Sequence, residues 1–144
     1  MKRAGPGDWW SAAWLRAWAY DAKARPPVEQ DWEIILSGFE PAALLLELAS
    51  DDRCPKQRTF LRALYCRVGD SVRTRSVSAE DVELARAGAD SPGAFARLWS
   101  ARAMYLFEHP EAFHHGLWCG GGLVSGRHSR PDPLLPNIGL KRRK

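Results

Sequence analysis

No run in this chain approaches the 18 or more apolar residues of a membrane-crossing helix; the longest candidate, Pro41 to Ala49, is interrupted by Glu47. Met1-Lys2-Arg3 is basic but leads into Gly5-Pro6-Gly7-Asp8 instead of an apolar segment, so no secretory signal is expected. Cysteine is scarce: Cys54, Cys66 and Cys119 form an odd set without framework spacing. Cys54 and Cys66 stand on one predicted helix about 18 Å apart, too far to bridge. This usage suits a reducing cytoplasm, and no membrane partner is expected.

The familiar catalytic signatures are missing as well. There is no Gly-x-Ser-x-Gly and no His-Glu-x-x-His, and Gly120-Gly121-Gly122 neither follows a strand pattern nor leads to Lys-Ser/Thr. Strand-like alternation of apolar and polar residues is absent too.

What remains is a helical pattern. The 144 residues suit one domain that buries roughly two-thirds of its unfolded surface, and an apolar share of 45% with 26% charged residues is ordinary for such a domain. The stretch Arg53 to Arg75 organises the rest. Phe60, Leu61, Leu64, Tyr65 and Val68 make the apolar stripe of a core helix running to about Arg73, with Pro55 at its first position and Asp51 and Asp52 placed to cap it. Gly69 either ends this helix or marks a close crossing by a neighbour.

A first helix is expected from an N-cap at Asp8 to about Ala24. Trp10, Trp14 and Trp18 form a stripe that reads as a packing face, with an aromatic platform for a base or a cation as the alternative. A second helix covers Glu29 to Ser37 with Trp32, Ile35 and Leu36 inward, and a third covers Ala42 to Ala49 behind Pro41 at its first position. Ser78 to Asp81 reads as a capping box opening a fifth helix that ends at Gly88. Ser91-Pro92 opens a sixth, with Phe95, Leu98, Trp99, Arg102 and Leu106 on one face until His109-Pro110 stops it. The fold expected is all-α: a compact bundle of about six helices over residues 8–118, with 1–7 flexible and 119–144 a glycine break and basic, proline-containing tail. Pro55 and Pro92, 37 residues apart, leave a paired-helix repeat as the less favoured arrangement.

Charge divides unevenly. Residues 1–125 carry 15 Lys and Arg against 16 Asp and Glu, whereas Arg127, Arg130, Lys141, Arg142, Arg143 and Lys144 face only Asp132 in the remainder. Metal-capable side chains gather at His109, His114, His115, Cys119 and His128, but their spacing fits zinc signatures loosely, so locally bonded or solvent-facing histidines are expected and no metal or cofactor. Cys119 before three glycines could be a nucleophile with His114 or His115 as base; without an orienting third group, the expectation is a small semi-buried thiol.

The function expected is a non-catalytic protein–protein interaction module, an adaptor or inhibitor of immunity-protein or antitoxin type. Trp9, Tyr20, Trp32, Arg58, Arg62 and Arg67 are its candidate contact residues. The alternative is a nucleic-acid-binding accessory protein that uses the Arg53–Arg75 helix and the tail cations named above. The arginines of that helix are expected to face acids on neighbouring helices.

Overall fold

A computed structural model describes residues 10–28 and 30–124. It is all-helical, and no strand occurs among the described residues: α1 (Ala12–Tyr20), α2 (Trp32–Leu36), α3 (Ala42–Ala49), α4 (Gln57–Arg73), α5 (Ala79–Gly88), α6 (Ala94–Glu108), a 3₁₀ turn (Pro110–Ala112) and α7 (His115–Trp118). Among the described residues, no helix is long and apolar enough to cross a membrane.

The long α4 is the hub, packing on α2, α3, α6 and α7, while α5 lies mainly on α6. Its buried face carries Phe60, Leu61, Leu64, Tyr65 and Val68, the stripe read from the sequence. The helix begins two residues after Pro55, and neither Asp51 nor Asp52 caps it. Asp51 Oδ1 instead accepts from the Arg53 amide at 2.9 Å, and Asp52 Oδ1 accepts from Gln57 Nε2 at 3.0 Å. The two acids therefore stabilise the turn between α3 and α4. Gly69 lies within the helix because α7 crosses there. A Cβ at this position would stand 2.7 Å from Trp118 Cβ, closer than two carbons approach.

Other helix ends differ from the sequence reading for identifiable reasons. The cap of α1 is Ser11, whose Oγ accepts from the Trp14 amide at 3.1 Å; Asp8 lies outside the described residues. The helix stops at Tyr20, short of Ala24. Lys56 Nζ donates to the Trp18 carbonyl at 2.9 Å and also to that of Asp21, satisfying the exposed carbonyls of the last turn. α2 is only five residues long. Trp32 and Leu36, four apart, face the core, and Ile35 falls off that face at 40% exposure. α3 spans the expected residues, with Pro41 as its N-cap.

At α5 the capping box is present in both directions. The Asp81 amide donates to Ser78 Oγ, and the Ser78 amide to Asp81 Oδ2, each at 3.1 Å. Ser91 does not cap α6 directly; its Oγ accepts from the amide of Gly93, which is the N-cap. On α6, Trp99, Arg102 and Leu106 are buried as expected, Leu98 is half-buried, and Phe95 is 59% exposed.

The tryptophan stripe of α1 is a packing face. Trp18 stacks on Trp14 (ring centroids 6.3 Å apart) and meets Trp32 and Phe60 edge-on at 5.4 and 6.0 Å. Trp10 closes the cluster over Phe39 at 5.1 Å. At the other end, Trp118 is buried against Tyr65, and the glycines beyond it do not end the body. Leu123 and Val124 are buried in the same core. Residues 125–144, including the tail cations and His128, lie outside the described residues.

Candidate functional site: a cleft between α4 and α6

The side of α6 that Phe95 and Leu98 occupy, three residues apart, does not close onto α4. Between the two helices lies a cavity of about 250 Å³. Leu61 and Tyr65 from α4 form one wall, and Leu98 with Phe95 at the rim forms the other. Leu123 and Val124, returning after α7, complete the floor. The apolar surface is interrupted by two cations: Arg58 on the exposed first turn of α4, and Arg102, 2% exposed.

Arg102 is held in place from several directions. Its Nη1 donates to Tyr65 Oη at 3.0 Å and to the Leu123 carbonyl at 3.2 Å, and its guanidinium lies 6.0 Å from the centre of the Tyr65 ring. Burial places a fixed positive charge in a low-dielectric setting, where it acts on an anionic neighbour more strongly than a solvated lysine would. The cleft therefore combines apolar walls with positive charge, and suits an apolar side chain adjoining a carboxylate.

The contact residues read from the sequence scatter around this cleft. Of the five that fall among the described residues, Arg58 alone lies in it. Trp32 is 3% exposed inside the aromatic cluster and presents no docking surface. Trp9 lies outside the described residues. Arg62 stands 3.7 Å from Glu33, and Arg67 stands 3.2 Å from both Glu40 and Asp81 while donating to the Ser37 carbonyl at 3.0 Å. These two arginines face acids of neighbouring segments, as expected, and Arg67 works as a strut between α4, α5 and the α2–α3 connection.

Tyr20 is 46% exposed and donates its hydroxyl to Asp51 Oδ2 at 2.6 Å. That hydrogen bond, followed by partial burial, pushes the phenol up to about 12 and holds the Asp51 carboxyl below its usual range. The signs follow. The Asp51 contribution to stability is full above the unfolded carboxyl value and is lost as pH falls through the lowered folded one. The Tyr20 contribution is present below about pH 10 and is lost as pH rises through about 12. An ultraviolet titration of tyrosinate should show Tyr20 ionising late, near about 12. Asp51→Asn should move it back towards about 10, and Tyr20→Phe should delete it. An unchanged curve in Asp51→Asn would contradict the contact.

Among the described residues, no three of His, Cys, Asp and Glu stand close enough to hold a metal ion. His109 stacks against Tyr105 at 4.5 Å and places Nδ1 3.5 Å from Glu111 Oε2, a local arrangement at the end of α6. The neighbour of Cys119 is Cys66, and burial pushes both thiols up, which disfavours a standing thiolate nucleophile.

Sequence reasoning missed Phe95, Leu123, Val124 and the role of Arg102. One signal was available: an arginine in the middle of the apolar stripe Phe95, Leu98, Trp99, Leu106 is either a half-turn of solvent or a buried charge with a purpose. The chain matches no known family model, no curated protein and no solved structure.

Proposed function

We propose that this protein is a non-catalytic interaction module of adaptor, inhibitor or immunity-protein type. Its α4–α6 cleft takes an apolar side chain flanked by an acidic residue of a partner protein. The observation that carries this reading is Phe95, a large aromatic held 59% exposed at the rim of an apolar cavity that also contains Arg58 and Arg102. Aromatic residues and arginine are the types that dominate binding energy at protein interfaces, and an apolar recess between them is where a partner's anchor is desolvated. The pairing of Arg62, Arg67 and Arg73 with Glu33, Glu40, Asp81 and Asp70 neutralises much of the α4 basic surface, which favours a protein partner over nucleic acid.

The test is affinity purification from the native host with the full chain and with the double variant Phe95→Ala, Arg58→Glu. Both side chains are exposed, so thermal stability should be nearly unchanged, while a specific partner should be retained at least about thirty-fold more weakly. Equal capture by both forms would remove the cleft from the interface. Recovery of nucleic acid that elutes steeply with salt would instead favour a nucleic-acid role through the Arg127–Lys144 cations.

A further inference from the structure

Away from the cleft, on the opposite flank of α7, two of the three cysteines meet. Cys66 sits on the buried face of α4 one turn before Gly69. Cys119, directly after α7, brings its Sγ to within 3.3 Å of where a Cβ on Gly69 would stand. The two cysteines share the wall of an open recess with Ser37, Asp70, Arg73 and Ile34. Cys66 is buried and Cys119 half-exposed, so the pair has one thiol that solvent reaches and one behind it. Cys54 is remote from this pair in function: it is buried at the α3–α4 turn and donates to the Ala19 carbonyl.

We propose that Cys66 and Cys119 are a redox-responsive pair that closes into a disulfide with a low-molecular-weight disulfide as oxidant, locking α7 onto α4. Cys119 Sγ loses its proton and attacks one sulfur of the oxidant, forming a mixed disulfide and expelling one thiol. Cys66 Sγ then loses its proton and attacks the Cys119 sulfur, expelling the second thiol. The two protein sulfurs lose two electrons in total, the oxidant disulfide gains them, and the two protons leave with the two released thiols.

The partners lie more than fifty residues apart in the chain, so closure removes much freedom from the unfolded state and should raise stability. The lock also secures the segment that brings Leu123 and Val124 to the cleft, yet the thiol chemistry holds whether or not that cleft docks a partner.

The experiment equilibrates the purified full chain with oxidised glutathione and follows intact mass, thiol alkylation in denaturant and thermal unfolding. The expected product is a monomer about 2 Da lighter with one alkylatable thiol, Cys54. It should melt about 5 °C or more higher, and a thiol reductant should reverse the shift. Cys54→Ser should behave the same, and Cys119→Ser, a change at a half-exposed position, should abolish both the mass loss and the shift. Stable glutathione adducts on Cys119 alone, Cys119-linked dimers, or three free thiols at equilibrium would each overturn the proposal.

Discussion

Trp18→Ala should lower the unfolding free energy by about 4 kcal/mol, most of what a domain of this size has to spare. The ring is buried, stacked on Trp14, and abutted by the edges of Trp32 and Phe60. Its Nε1 donates to the Arg25 carbonyl at 2.8 Å, and Lys56 Nζ lies 4.4 Å above its centroid. Alanine would leave a cavity that three other large rings cannot collapse to fill, because each is fixed by its own helix. It would also strand the Arg25 carbonyl and remove the ring beneath the Lys56 ammonium, whose bonds to the Trp18 and Asp21 carbonyls remain. Trp18→Phe should cost roughly half as much, since it restores volume but not the donor. Denaturant unfolding followed by far-ultraviolet dichroism measures both. A loss below about 1.5 kcal/mol for the alanine variant would mean the indole cluster is not the keystone its geometry implies.

Asp81→Ala should cost about 3 kcal/mol, more than a helix cap alone. One carboxylate serves two purposes here: it completes the capping box with Ser78, and it receives Arg67 Nε at 3.2 Å. The cap accounts for about 1 kcal/mol, and a charge-assisted hydrogen bond at a buried position for about 2 more. Removing the acid leaves a half-buried guanidinium with Glu40 and the Ser37 carbonyl as its remaining contacts. Replacing both residues, Asp81→Ala with Arg67→Met, should cost less than the sum of the single changes, because the stranded charge is removed along with its partner. Strict additivity in that cycle would show that the ion pair contributes nothing and that Asp81 acts only as a cap.

Much of this architecture is local and could be read without coordinates. The boundaries of α3, the capping box of α5, the stop at His109-Pro110 and the buried stripe of α4 follow from capping chemistry and helical period, interactions spanning three or four residues. The Trp14–Trp18 pair was legible for the same reason. Readings that failed depended on distant atoms. Ser11 rather than Asp8 caps α1, and Lys56, more than thirty residues on, stops it before Ala24. Ile35 and Phe95 share the period of inward residues, but no neighbouring helix among the described residues covers them. Trp32, a surface candidate by composition, is enclosed by rings from α1.

The cleft was the least legible part because it belongs to no single segment. Its walls come from α4 and α6, and its floor from residues beyond a glycine run that reads as an exit from the fold. The amino-acid order by itself settled that the chain is helical, that α4 is its axis, and that indoles and leucines make its core. Those outcomes are decided by hydrogen bonds within one turn and by the period of apolar side chains. Which side chains stay exposed, which arginine is buried and which thiols meet were decided only when α7 crossed at Gly69 and returned Leu123 and Val124 to α4. Contacts of that kind depend on how whole helices pack, and packing is a property of surfaces that sequence neighbours do not share.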